Sequence, residues 1–322
     1  MTYLIITGLL IVLELLYFFV ADKLNIIDRP NMRSSHTQIT LRGGGVVFLF
    51  GAWIYAAFYG FQYPWFLMGL TMIAAISFMD DVRSVPNKVR LLVHFASMLL
   101  LFYQLEMLTL GGWWMILIAL IVCTGIINAY NFMDGINGIT GGYSLAILLP
   151  LMIVNAGQPF TDMNLIYVTG LSVVVFCFFN YRTKAKCFAG DVGSVSIAFI
   201  LLFMLGALIM STGQLWYLIF FVVYGVDSVL TICHRLLLHE NIFKAHRKHA
   251  YQLMANELHI PHVTVSTVYM ILQMAVSIGS IYISINKCIY FVSVLVTLCI
   301  AYLLFMKKYY HLHEEYLKSK QQ

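Results

Sequence analysis

Charge is what this sequence has least of. Only 10% of its residues are Asp, Glu, Lys or Arg, against roughly 25% in an ordinary soluble domain. With 61% hydrophobic residues and a mean hydropathy of +0.86, a water-soluble globule is excluded. Cysteine is sparse and unpatterned: there are six, and no CxxC pair. Cys123, Cys177, Cys233, Cys288 and Cys299 lie in or at apolar runs, and Cys187 lies in a polar stretch, which argues against a disulfide framework or a thiolate metal site. Internal repeats and low-complexity segments are also missing, so the chain reads as one membrane domain over 1–322. The first apolar run lacks a basic leader and a small-residue cleavage site, so it is expected to be a membrane span and not a cleaved signal.

What is present is a series of long apolar runs. A bilayer core takes about 20 helical residues. Runs at 1–21, 43–61, 64–80, 89–107, 112–130, 139–155, 163–181, 195–212, 214–233, 264–285 and 287–306 predict an all-α polytopic membrane protein of eleven transmembrane helices. If the connections alternate sides, eighteen of the nineteen Lys and Arg residues fall on one side, and only Lys287 on the other. The positive-inside rule names the first side the cytoplasm. An odd number of spans then puts the N-terminus outside, and the tail with Lys307, Lys308, Lys318 and Lys320 inside. Orientation accounts for the net charge of +5, so nucleic acid is not expected as a partner.

The two sides differ in more than charge. The outer connections read as bland turns. The inner ones, 22–42, 80–90, 128–142, 180–194 and 233–262, hold dense clusters of acids, bases, Asn and Gly. Polar groups next to hydrocarbon are costly and are usually functional.

In MDDVRSVPNKVR, Asp80 and Asp81 close a helix, where acids oppose the macrodipole and call for a compensating cation. They are otherwise an acid pair marking a helix end. In NAYNFMDGING, Asn128, Asn131 and Asp134 are spaced to share a helical face, and Gly135 and Gly138 permit a bend or a close backbone approach. In GDVGS, glycines before span eight can form an anion-binding nest, with Ser194 as N-cap and Asp191 as a metal ligand. His246 and His249 in AHRKHAYQ share a face if that stretch is helical, but no third zinc ligand is evident. A cationic clamp for a diphosphate fits better, with Arg247 giving bidentate contacts. In RPNMRSSHTQITLRGGG, Arg33, His36 and Arg42 add anion-binding capacity before a glycine triplet. Hard oxygen donors with no thiolate suit Mg²⁺. Acids, glycine turns and cations on one membrane face suggest phosphoryl transfer from a diphosphate.

Together DDVRSVPNKVR, NAYNFMDGINGITGG, GDVGS, AHRKHAYQ and RPNMRSSHTQITLRGGG resemble the polyprenyl-phosphate N-acetylhexosamine-1-phosphate transferases, glycosyltransferase family 4. These enzymes start O-antigen, teichoic acid and peptidoglycan lipid intermediates. The matches run in order from Asp28 to about Gln252. The resemblance implies eleven helices, and a multi-pass place in a bacterial plasma (inner) membrane with the site facing the cytoplasm. It implies transfer of sugar-1-phosphate from a UDP-N-acetylhexosamine to undecaprenyl phosphate, UMP release, and a need for Mg²⁺, with Mn²⁺ as the alternative. Asp80, Asp81 and Asp134 then stand at catalytic positions, and Asp191 with Asp81 at the metal. Asn128, Asn131, Asn137, His246, Arg247, His249, Arg33 and Arg42 stand at substrate-binding ones. A homodimer is compatible with such a protein.

Two departures matter. Asn137 stands where the family often has a second Asp, and HRKH replaces the consecutive His run of the muramyl-peptide enzymes. The second departure favours a smaller donor: UDP-GlcNAc first, with QuiNAc, FucNAc and GalNAc open. The rival reading is a secondary transporter of an anionic or lipid-linked solute. That class places polar groups near the bilayer midplane, where this chain has little but Glu14.

Overall fold

A computed structural model describes residues 1–30, 35, 38–109, 112–242 and 246–319. Twelve α-helices carry the chain: α1 (Thr2–Lys23), α2 (Val47–Tyr59), α3 (Pro64–Val82), α4 (Asn87–Gln104), α5 (Trp113–Met133), α6 (Ile139–Gly157), α7 (Met163–Asn180), α8 (Gly190–Thr212), α9 (Val222–Leu237), α10 (Ala250–Asn256), α11 (His262–Tyr282) and α12 (Lys287–Ser319). Each of the eleven expected spans has a helical counterpart, and α10 is an extra short helix between α9 and α11. Among the described residues, nine helical stretches are long and apolar enough to cross a bilayer. The segment Gly44–Tyr59 is apolar but shorter. The first turn of α4 carries Lys88 and Arg90, so its apolar part is short.

Several boundaries differ from the sequence expectation. The GDVGS segment is the first turn of α8, not a loop before it. Ser194 is therefore no N-cap. Its hydroxyl donates back to the Gly190 carbonyl at 3.1 Å and to Asn131 Oδ1 at 3.0 Å. α12 runs well past the expected residue 306. His246 to His249 are not helical, and His249 is the N-cap of α10.

The two ends of the bundle are built differently. At one end Asp162 caps α7 and accepts from Tyr55 and Gln62, Asn155 closes the 158–161 turn, and Tyr3 reaches Asn164. These outer connections are thus more ordered than the bland turns expected. Lys287 there donates to the carbonyls of Ser280, Ile281 and Ile283, so this cation serves the C-terminal end of α11. At the opposite end the five acid-rich connections meet.

α8 forms the axis: most of its side chains are buried, including Phe199 and Phe203, which stack with Phe66 of α3. Span nine is broken, running as a 3₁₀ turn over Leu215–Phe221 before α9. A break inside hydrocarbon frees backbone groups that water cannot reach. Gln273 of α11 accepts from the Val223 N–H at 3.1 Å and donates to the Ile219 carbonyl at 3.0 Å. Tyr143 of α6 accepts from the Tyr224 N–H at 3.1 Å and donates to Gln273 at 2.6 Å. Its ring lies flat on Tyr224, with centroids 3.4 Å apart.

Gln273→Leu removes the acceptor for Val223 and Tyr143 at once. Each unmet buried group costs about 1–3 kcal/mol, so the variant should melt several degrees lower in detergent. Unchanged melting would show that the break does not depend on this amide.

Candidate active site

The site begins with glycine. Gly44 and Gly45 donate to the carbonyls of Phe188 and Ala189, which lays the 43–45 turn against the start of α8. The crossing is so close that a Cβ on Gly45 would stand 2.2 Å from the Gly193 Cα. A two-residue ribbon, β1 (Ile27–Asp28) with β2 (Thr40–Leu41), leads into this turn, and Leu41 bridges to Cys187. Arg42 therefore arrives beside Asp191 because its chain neighbours are pinned on both sides.

Asp81 ties the cluster together. Its Oδ1 accepts from the Asp191 N–H at 3.0 Å and pairs with Arg42 Nε at 2.7 Å. Its Oδ2 accepts from the Val192 N–H at 2.9 Å, and its side chain is 0% exposed. The donors at the N-terminus of α8 thus hold the carboxylate that closes α3. Gly190, at φ +70°, makes this possible, since a Cβ there would stand 2.6 Å from Asp81 Oδ2. Asp81 was expected both at the metal and at the chemistry. Its side chain is 0% exposed and both oxygens are engaged, so it anchors the GDVGS turn and Arg42.

The other acids keep more freedom. Asp191 meets Arg42 at 3.1 Å and Arg90 at 3.6 Å. Asp80 accepts from the Val85 N–H at 2.8 Å and pairs with Arg90 at 2.7 Å, which fixes the 83–86 turn. Asp134, half-buried at the C-cap of α5, accepts from Thr140 at 2.6 Å. Burial chiefly, and then the charges of Asp191 and Asp81, push its carboxyl up to about 7, against the Thr140 hydrogen bond. Asp80, Asp81, Asp191, Arg42 and Arg90 are joined by direct contacts, and Asp134 feels the same charges.

The expected substrate residues divide. Asn131 is held by Ser194, and Asn128 is exposed on the same helix. Asn137 is buried and donates to the carbonyls of Arg182 and Thr183 at 2.9 and 3.1 Å, so its amide nitrogen folds the 182–183 turn and only Oδ1 is left for a ligand. The turn and Asn137 line a cavity of about 340 Å³ together with Ser35, Gln38, Thr40, Lys184, Phe188 and His262. Three of the lining residues are chain neighbours of the cluster: Thr40 is two residues from Arg42, Asn137 three from Asp134, and Phe188 three from Asp191. Arg33 lies outside the described residues, as does His36.

Arg247 is already engaged. It pairs with Glu257 at 2.8 Å and lies over the Tyr316 ring at 4.2 Å. His313 of α12 binds the same Glu257 at 2.8 Å. The guanidinium expected to clamp a diphosphate thus docks the end of α12 onto the HRKH segment. His246 and His249 stay neighbours without a helix, with ring centroids 5.0 Å apart. Burial, with His249, Arg235 and Lys248 nearby, drives His246 down to about 3, so it is neutral at working pH.

Sequence reasoning missed Glu14 as part of this floor. It is buried in α1, bonded by the Cys187 thiol, and 3.0 Å from where a Cβ on Gly44 would lie. Its isolation inside an apolar run was the available signal. Asp227 was also missed, buried in α9 without a motif around it. Among the described residues, no three Asp, Glu, His or Cys side chains converge as a ready metal cage. The donor chemistry nonetheless suits a hard cation: Asp191 and Asp134 offer carboxylate oxygens with no thiolate beside them.

Asp134 carries a pH signature. An unfolded aspartate titrates near 3.9, and the folded value is about 7. The native state then holds the extra proton between those values, so stability falls as pH rises through that window. In EDTA, Asp134→Asn should remove this fall and melt higher than the parent at pH 8, but not at pH 4. Parallel melting curves across that range would contradict the raised carboxyl.

Known proteins resemble this chain. The profile described as glycosyl transferase family 4 matches residues 63–212. A probable undecaprenyl-phosphate N-acetylglucosaminyl 1-phosphate transferase of Bacillus subtilis is 26% identical over 257 residues, covering 73% of this chain and 72% of the relative. An undecaprenyl-phosphate alpha-N-acetylglucosaminyl 1-phosphate transferase of Thermotoga maritima is 25% identical, covering 74% and 76%. A phospho-N-acetylmuramoyl-pentapeptide-transferase of Thermotoga neapolitana is 29% identical, covering 59% and 68%.

Proposed function

Because the chain belongs to glycosyl transferase family 4 and is a glycosyl-1-phosphate transferase, we propose that it moves N-acetylhexosamine-1-phosphate from a UDP-sugar to undecaprenyl phosphate. UMP leaves, and the diphosphate-linked sugar starts a cell-surface polysaccharide. UDP-GlcNAc is the donor assigned, supported by the two relatives that match about three quarters of this chain. Eleven spans, with the acid cluster on the cytoplasmic side of a bacterial plasma membrane, follow from the eighteen cations on that side.

The observation that carries this reading is the acid–arginine cluster of Asp80, Asp81, Asp191, Arg42 and Arg90, with a 340 Å³ cavity lined by its chain neighbours Thr40, Asn137 and Phe188. The cavity, with the Phe188 ring and the polar groups of Thr40, Asn137 and Lys184, suits the nucleoside end of the donor. The diphosphate then lies over Asp191, Asp134 and Arg42. Asp191 and Asp134 would hold the divalent cation, magnesium or in its place manganese, which supplies charge neutralisation at the diphosphate.

An oxygen of the lipid phosphate attacks the β-phosphorus of the donor. The new P–O bond forms as the bond from β-phosphorus to the bridging oxygen breaks, and the electron pair leaves with UMP. A phosphate monoester has its second pKa near 6, so the nucleophile is largely dianionic at pH 7. The attack therefore needs no strong general base. Asp80 and Arg90 keep the 83–86 turn beside this centre, and Asp81 holds Arg42 and Asp191 in register. The transporter reading is disfavoured, because Glu14 belongs to the floor of the same cluster and not to a separate midplane site.

The direct test is UMP release by purified protein given UDP-GlcNAc, undecaprenyl phosphate and Mg²⁺. Release should require all three. Asp191→Asn should lower it at least about 100-fold, the scale lost with one electrostatic group at a reacting phosphoryl centre, while the melting temperature holds. Parent-like turnover by that variant would remove Asp191 from the metal.

A further inference from the structure

Asp227 sits deep in α9, 3% exposed, and belongs to none of the motifs above. No Lys or Arg pairs with it among the described residues. It is instead held by hydrogen-bond donors from three helices and a loop. Oδ1 accepts from Thr231 at 3.2 Å, from the Ala250 N–H at 3.1 Å and from the His249 ring at 3.2 Å. Oδ2 accepts from Tyr269 at 2.6 Å and from the Tyr251 N–H at 3.4 Å. A buried carboxylate is tolerated only when so completely paired.

The His249 contact is the informative one. A carboxylate 3.2 Å away requires the proton on Nδ1, because two acceptors facing each other would repel. The Gln252 N–H of the capping box donates toward the same ring, and of these two competing partners the buried carboxylate is the stronger. Nε2 is then the ring atom left for a ligand. It is buried and, among the described residues, makes no hydrogen bond. A buried polar atom without a partner is costly, and its neighbours point to what it serves. Phe132 packs near the His249 ring, and Tyr251, two residues on, donates to the Phe132 carbonyl at 2.8 Å. The Tyr251 hydroxyl also lies 2.2 Å from where a Cβ on Gly135 would stand. The His249 segment is therefore clamped to the turn that carries Asp134.

We infer that Asp227 is a positioning residue for the transfer reaction: it fixes the His249 ring so that Nε2 meets a phosphate oxygen of the nucleotide sugar. The inference rests on the transferase reading for the identity of that ligand. A carboxylate behind an imidazole orients the ring and fixes which nitrogen carries its proton.

The test is a double-mutant cycle with a spectroscopic arm. Asp227→Asn keeps the shape but removes the anion, and should lower kcat about 10–100-fold with a modest change in KM. In the His249→Gln background the same substitution should cost under about threefold, since effects routed through one residue do not add. An equal loss in both backgrounds, or parent-like turnover by Asp227→Asn, overturns the inference. The second arm needs no variant. In ¹⁵N-histidine-labelled parent protein, His249 should carry its proton on Nδ1, and its Nε2 resonance should move on adding UDP-GlcNAc with Mg²⁺. A bare Nδ1 overturns the pairing. UDP-GlcNAc binding by calorimetry without movement of Nε2 overturns the inference alone. Absence of binding by any UDP-sugar sinks the transferase reading instead, while the Nδ1 proton still tests the pairing.

Discussion

One carboxylate, Asp81, holds the acidic end of this bundle together. It closes α3, binds the first two usable N–H groups of α8, and grips Arg42. A buried anion facing a helix N-terminus and a guanidinium satisfies all three partners at once. Without it, the N-terminal donors of α8 would be unmet and Arg42 would lose its register. Gly190 leaves room for this carboxylate, and Gly45 and Gly193 let the 43–45 turn lie against α8, which brings Arg42 to it. Asp191, Asp134 and Arg90 are arranged around this fixed point.

A second principle is economy of polar groups inside hydrocarbon. Gln273 and Tyr143 meet the broken backbone of span nine, and Asp227 gathers its donors from α9, α11 and the start of α10. Such groups are tolerated only where protein replaces water. α12 follows the same rule: buried Glu257 takes both Arg247 and His313, so the helix tail braces the HRKH segment.

Much of this was legible in the sequence. Hydropathy located a helix for every expected span, and the charge clusters named the five connections that meet at one end. The acids at 80, 81, 134 and 191 were found because carboxylates beside apolar runs stand out. Their division of labour was not legible, since Asp80 and Asp81 are adjacent and differ only in what α8 and Arg90 present to them. Whether 246–249 is helical was left open by the sequence, because spacing alone cannot show that Asp227 meets the chain at His249. Asp227 itself was hidden, being one acid in a long apolar run whose partners lie up to 42 residues away.

The central claim is that phosphorus moves with the sugar. UDP-GlcNAc labelled with ³²P only at the β position separates this from ordinary sugar transfer. Incubated with the purified protein, undecaprenyl phosphate and Mg²⁺, the label should enter the organic-extractable lipid while unlabelled UMP appears in the water phase. Label recovered in free UDP, with sugar alone on the lipid, would contradict the account.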